Sequence, residues 1–79
     1  MSMTSEIYGF GVILFHTNSS ALRAEKILLK EGLQVNLIPT PREFSSDCGI
    51  ALRLDQCQTT RARDLLEAAR VQISAIHTI

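Results

Sequence analysis

The sequence predicts an α+β fold in which four strands and two helices form one small domain. Two segments repeat their apolar residues at helical spacing, and each follows residues that commonly cap helices. Four other short runs are rich in β-branched and apolar residues and alternate with period two, which is typical of strands. With 79 residues, the chain has the length of a single domain, residues 1–79. These observations predict the order β-α-β-β-α-β.

The first strand and first helix have clear boundaries in the sequence. Residues 8–15 are predicted to form a strand because Gly9 and Gly11 would weaken a helix. The Thr, Asn and Ser side chains at 17–20 predict the start of a helix, and Gly32 predicts its end after about Glu31. Residues 1–6 are polar, and we expect them to form a frayed terminus.

The second half of the chain repeats this pattern. Residues 35–38, 50–54 and 71–79 predict three further strands. A second helix is expected to begin with Asp55 or Thr59 as its cap and to last to about Arg70. Given right-handed crossovers, this order predicts the split βαβ, or ferredoxin-like, plan: a four-stranded antiparallel sheet with both helices on one face.

Within this plan we expect the first and third strands to be central and parallel. The loop at 39–49 would then lie at one end of the sheet, and the N-termini of both helices at the other. One face is expected to point away from the helices, made of Gly9, Gly11, Ile13, Phe15, Ile38, Ala51 and Ile76. An apolar face of this kind is usually covered, so we expect a homo-oligomer through the open sheet face, or a partner protein there.

Composition excludes several classes of function. The chain has 8 Lys and Arg residues, 8 Asp and Glu residues and no Trp, which gives no basis for a nucleic-acid or acidic-membrane partner. Two cysteines are too few for the disulfide framework of a small secreted domain. No apolar run approaches the ~18 residues of a membrane span, and no basic region precedes a signal core. We therefore expect a cytoplasmic protein that needs no cofactor and no metal.

The loop at 39–49 is the best candidate for a functional site. Pro39 and Pro41 stiffen its entry, and the polar residues that follow are too many for a tight hairpin. Cys48 is therefore expected to be accessible, and Arg42 would favour its thiolate if the loop folds back. Further residues have expected binding roles: Ser45 and Ser46 as hydrogen-bond donors to an anion, and Gly49 as a point of close approach. An ordinary surface thiol remains the alternative interpretation of Cys48.

The second cysteine suggests a different site. Cys57 falls near the start of the second helix, and His16 ends the first strand. With parallel central strands the two would share one end of the sheet, as a Cys/His pair or half of a metal site. We prefer the alternative of a half-buried cysteine near a capped histidine, and we expect His77 to be structural or exposed. A Cys48–Cys57 disulfide is not expected, because the intervening strand spans roughly 20 Å.

The loop also carries a family resemblance. The string Pro-Arg-Glu-x-Ser-Ser-x-Cys-Gly at 41–49 lies between two strands and resembles the DUF3343 family of small selenium/sulfur carrier-like proteins. The resemblance extends to the helix at 15–30 and covers most of the chain from about Tyr8 to the second helix. It implies that Cys48 holds sulfur or selenium as a persulfide or perselenide. It also implies donor and acceptor proteins as partners.

Two other functions remain as alternatives. In a non-enzymatic binding module, Arg42, Ser45 and Ser46 would bind an anion of a small ligand or of a protein, and Cys48 would be incidental. Such a site should tolerate Cys48→Ser, whereas a carrier should not. Catalysis within this chain alone has the least support, because the sequence shows no nucleophile-base-orienter trio, no paired acids and no phosphate loop.

Overall fold

The structure, a computed structural model, describes residues 9–44 and 49–78. It confirms the ferredoxin-like α+β fold, with four strands in one sheet and two helices. A short 3₁₀ turn at Gln56–Gln58 precedes the second helix. The elements in chain order are β1 (Phe10–Leu14), α1 (Asn18–Lys30), β2 (Val35–Pro39), β3 (Ile50–Asp55), α2 (Thr59–Ala68) and β4 (Ala75–Thr78).

The sheet has the order β2-β3-β1-β4, and every pair of neighbours is antiparallel. Our expectation that the first and third strands run parallel is therefore wrong. The α1 crossover makes β2 parallel to β1, and the loop that follows reverses the chain, so β3 must oppose both. Leu14 at the end of β1 pairs with Ala51 near the start of β3 and with Ala75 at the start of β4. We call this the loop end of the sheet, since the 39–49 loop joins β2 to β3 there.

The ends of α1 follow directly from its sequence. The Thr17 hydroxyl oxygen accepts a hydrogen bond from the amide of Ser20 at 3.1 Å, which satisfies a free donor of the first turn. At the other end Gly32 has a φ of 88°, and the Leu33 amide donates to the Leu28 carbonyl at 3.0 Å. This left-handed closure is the one for which glycine is favoured. Both predicted ends of the first helix are confirmed.

The second helix and last strand are shorter than predicted. α2 ends at Ala68, β4 begins only at Ala75, and residues 69–74 connect the two. The predicted caps are also wrong. Gln58 precedes α2 without a side-chain capping bond, and Thr59 is the first helical residue. Asp55 precedes the 3₁₀ turn instead, also without a side-chain capping bond. The Thr59 hydroxyl instead donates to the Gln56 carbonyl at 2.8 Å, inside the preceding turn.

The main core lies between the helices and one face of the sheet. Its largest fully buried side chains include Ile13 and Phe15 of the first strand region, Leu28, Leu52 and Leu66. Apolar residues occur on both faces of β1, so alternation alone did not identify the face that meets the helices. We expected one set of residues to point away from the helices. Ile38 and Ala51 do so, but the expectation is wrong for four others, which lie on the helix side: Gly11, Ile13, Phe15 and Ile76.

A smaller core covers the other face at the loop end. Val12, Leu14 and Ala51 are 0%, 1% and 0% exposed although neither α1 nor α2 contributes to this cluster. Half-buried apolar residues pack over them, and these are Ile38, Phe44 and Ala75. The chain therefore covers this part of its open sheet face with its own loop residue, Phe44.

The helices are short for membrane proteins. Neither helix in the described part of the chain is long and apolar enough to cross a bilayer, and α1, the longer one, has 13 residues.

Candidate functional site

The structure defines both flanks of the 39–49 loop. At its base the Thr40 amide donates to the Gly49 carbonyl at 3.0 Å, one position beyond the Pro39–Ile50 pair. At its entry the Phe44 amide donates to the Pro41 carbonyl at 3.0 Å, which closes a turn. The turn exposes Arg42 and Glu43, its two central residues, to solvent.

Two of the five predicted site residues lie in the described flanks. Arg42 is exposed at the tip of the turn, and Gly49 is exposed with nothing within 4 Å of the position that a β-carbon would occupy. Cys48, Ser45 and Ser46 lie outside the described residues, so their roles stay predictions. Covalent geometry nevertheless limits the Cα of Cys48 to about 3.8 Å from the Cα of Gly49.

Phe44 is a residue of this loop that our sequence reasoning did not select. Its ring packs on the small core of Val12, Leu14 and Ala51. It also stacks on the imidazole of His77 in β4, with ring centroids 4.2 Å apart and planes 6° apart. The signal in the sequence was a single aromatic residue inside an otherwise polar loop. Phe44 attaches the loop to the sheet, and His77 has the structural role that was one of its two predicted options.

The antiparallel sheet separates His16 from Cys57. His16 follows β1 and is exposed at the loop end, whereas Cys57 follows β3 and is an exposed free thiol at the opposite end. The β3 strand between these ends spans roughly 20 Å. The Cys/His pair is therefore wrong. The alternative that we preferred, a half-buried cysteine near a capped histidine, is also wrong, because both side chains are exposed and lie at opposite ends of the sheet. No group of three His, Cys, Asp or Glu residues within 9–44 and 49–78 lies close enough to hold a metal ion.

The same correction changes the electrostatics of the loop end. We expected both helix N-termini at the opposite end, and this is correct for α2 but wrong for α1, which begins beside the end of β1. The N-terminus of a helix carries partial positive charge and favours anions. The loop end therefore combines the start of α1 with His16 and Arg42, while Glu43 adds negative charge to the same turn.

A groove opens from the loop end along α2 and β4. It has a volume of about 560 Å³, and His16 and Ser74 lie at its loop end. Arg63 and Glu67 of α2 and Ile76 of β4 line its sides. A smaller cavity of about 140 Å³ shares Arg63 and Ile76 with it and is also lined by Thr59 and Thr60. We refer to the larger feature as the α2–β4 groove.

Comparison with known proteins identifies one family. The sequence model of a family described as "Putative Se/S carrier protein-like" matches residues 10–78, which is nearly the whole chain. No curated protein matches the chain, and no solved structure does.

Proposed function

The chain belongs to the Se/S carrier protein-like family, and we propose that it carries a sulfur or selenium atom on the thiol of Cys48 for transfer to a partner protein. The family match over residues 10–78 is the observation that carries this proposal, since the match includes the 39–49 loop with its only cysteine. The partners are a protein that donates a persulfide or perselenide and a protein whose thiol accepts it.

The flanks of the loop support access to Cys48. Gly49, the next residue, is exposed and faces open space, and Arg42 is exposed on the other side of the loop. The Thr40–Gly49 hydrogen bond holds the exit of the loop, and the packing of Phe44 holds its entry. Only residues 45–48 connect these two attached points. A short segment attached at both ends can present a thiol to a docking protein without a deep pocket.

The charges at the loop end favour the thiolate form that the reaction needs. The start of α1, the Arg42 guanidinium and an imidazole at His16 all lie at this end, and cations and helix N-termini stabilise a thiolate. Glu43 and Asp47 act in the opposite direction. Cys57 follows β3 at the other end of the sheet, so it is a suitable internal reference for the reactivity of Cys48.

The proposed transfer is an exchange at sulfur that needs no added oxidant. The Cys48 thiolate attacks the terminal sulfur of a donor persulfide, R–S–SH, and forms a new S–S bond. The S–S bond of the donor breaks, the donor leaves as the thiolate R–S⁻, and the proton stays on the transferred sulfur. An acceptor thiolate then attacks the same sulfur and releases the Cys48 thiolate. With a perselenide donor, selenium takes the place of the terminal sulfur.

This chemistry also bears on where the protein works. A carrier thiol must remain reduced, so we propose the cytoplasm as its compartment. The unpaired, exposed Cys57 is consistent with reducing surroundings.

The test is intact mass spectrometry of the reduced protein after exposure to a persulfide or perselenide donor. We expect a gain of one sulfur or selenium atom that dithiothreitol reverses. The gain should persist in Cys57→Ser and disappear in Cys48→Ser, because the proposal assigns the transferred atom to the thiol of the 39–49 loop.

Two results would contradict the proposal. An adduct that follows Cys57 would place the reactive thiol at the opposite end of the sheet. Equal labelling of both cysteines, or of neither, would remove the case for a selective carrier. The alternative function of an anion-binding module would then be favoured. Such a module should bind an anion with an affinity that persists in Cys48→Ser and is lost in Arg42→Ala.

A further inference from the structure

The two edges of the sheet differ in how well they are protected. β2 and β4 are the edge strands, and each pairs with only one neighbour among the described residues. An unpaired edge invites another strand unless charge, proline or a cover blocks it. β2 ends in Pro39, which has no amide hydrogen to donate. β4 has the sequence Ala-Ile-His-Thr, with no proline and no Lys, Arg, Asp or Glu, so no residue within the strand blocks its edge.

The α2–β4 groove adds charges of both signs beside this edge. Arg63 and Glu67 both line the groove and are exposed, so they lie on the side of α2 next to β4. They are four residues apart, about one turn or 6 Å along the helix. Ile76 of β4 is half-buried between the sheet and this stripe of α2. The edge therefore has an apolar residue flanked by one cation and one anion.

We propose that this edge binds a second copy of the chain, so that two β4 strands pair antiparallel and join the two sheets into one of eight strands. A two-fold axis through such an interface places the two α2 helices side by side in opposite directions. The N-terminal part of each helix then faces the C-terminal part of the other. Arg63 meets the partner's Glu67 on both sides of the axis, so the surface is complementary to itself.

Other positions for a second copy fit the structure less well. At the open sheet face, Phe44 already covers Val12, Leu14 and Ala51. At the β2 edge, Pro39 ends the strand without an amide hydrogen, which limits the outward donors there to the residues before it. The zero net charge of the chain adds no overall repulsion between copies. The inference is independent of Cys48 and goes beyond the carrier function.

Charge exchange tests the assigned surface. Sedimentation equilibrium of the full chain should show a dimer, and Arg63→Glu or Glu67→Arg alone should weaken its association about ten-fold, because each places like charges on both sides of the axis. The double variant Arg63→Glu/Glu67→Arg restores opposite charges and should restore dimerisation. Arg61→Glu makes the same charge change on the same helix outside the groove and should leave association unchanged.

Amide hydrogen exchange provides a second readout that needs no substitution. We expect amides of Ala75–Thr78 to become more protected as protein concentration rises through the dimer range. A chain that stays monomeric overturns the proposal. A dimer whose association is unchanged by both single charge changes also overturns it. So does a dimer whose formation leaves the amide exchange of β4 unaltered. Binding of an unrelated extended peptide at β4 by a strictly monomeric chain would likewise assign the edge to another occupant.

Discussion

Arg70 adopts a backbone conformation that is unfavourable for its residue type. It closes α2 with a φ of 62°, while the Val71 amide donates to the Leu66 carbonyl at 2.9 Å and the Arg70 amide to the Glu67 carbonyl at 3.0 Å. This is the closure that Gly32 makes after α1. A β-carbon in the left-handed region costs roughly 1 kcal/mol, because it approaches the following carbonyl. The fold tolerates this cost at Arg70, whereas Gly32 has no β-carbon and does not incur it.

We expect Arg70→Gly to raise the free energy of unfolding by about 0.5–1 kcal/mol, since it relieves the strain of the left-handed position. Urea denaturation measures the change. Arg70→Ala is the matched control, because it removes the same charged side chain but keeps the β-carbon, and it should give no gain. Gly32→Ala should lower stability by about 1 kcal/mol. Equal effects of Arg70→Gly and Arg70→Ala would show that the backbone conformation is not the cause.

Among the elements, β1 and α2 lie in close contact at Gly11. A β-carbon built on Gly11 overlaps the Cγ2 methyl of Thr59, the first residue of α2. The Thr59 hydroxyl is engaged with the Gln56 carbonyl at 2.8 Å, so this side chain is not free to turn away without losing that bond. Glycine in β1 therefore lets the start of α2 lie directly on the sheet.

Gly11→Ala should destabilise the protein by about 1–3 kcal/mol, because the added methyl overpacks this contact. Thr59→Ser in the same chain should recover most of the loss, since it removes the Cγ2 methyl and keeps the hydroxyl that bonds Gln56. The comparison is a double-mutant cycle in urea. Gly49→Ala is the control, with open space at its β-carbon position and an expected change within ~0.5 kcal/mol. A Thr59→Ser change that leaves the Gly11→Ala loss intact would exclude the proposed contact.

At the scale of the whole molecule, the sheet is covered on both sides by different means. The helices cover one face, and the 39–44 segment covers part of the other through Phe44 and its stack on His77. The functional loop is thus part of the packing of the sheet. Stability of the small core and the position of the loop should change together.

Phe44→Ala should lower the free energy of unfolding by about 1–3 kcal/mol and expose Val12, Leu14 and Ala51, because neither α1 nor α2 contributes to this cluster. Urea denaturation reports the first effect, and binding of an apolar fluorescent dye reports the second. Phe10→Ala is the matched control, since Phe10 is 38% exposed beneath the Arg53 guanidinium, and it should cost less. Phe44→Leu should keep most of the stability. If Phe44→Ala costs no more than Phe10→Ala, the loop does not cover the face as described.

The sequence by itself determined the features that depend on neighbours in the chain. The order of elements, the start of α1 within the capping residues 17–20 and its stop at Gly32 were all predicted, because each follows from contacts within about five residues. The alternation within β1 and β3 was predicted for the same reason. The limits of α2 and β4 were not, since Arg70 is neither Gly nor Asn, the residues that usually occupy the left-handed position after a helix.

Only the tertiary structure decided which distant residues meet. The antiparallel pairing of β1 with β3 moved His16 and the start of α1 to the loop end and left Cys57 alone at the other. The helices pack on the face of β1 that carries Ile13 and Phe15, although both faces are apolar enough to form the main core. The tertiary structure also brought Phe44 onto His77 across 33 positions of sequence. These outcomes depend on contacts between residues that are far apart in the chain. The energies of such contacts cannot be inferred from a local sequence pattern.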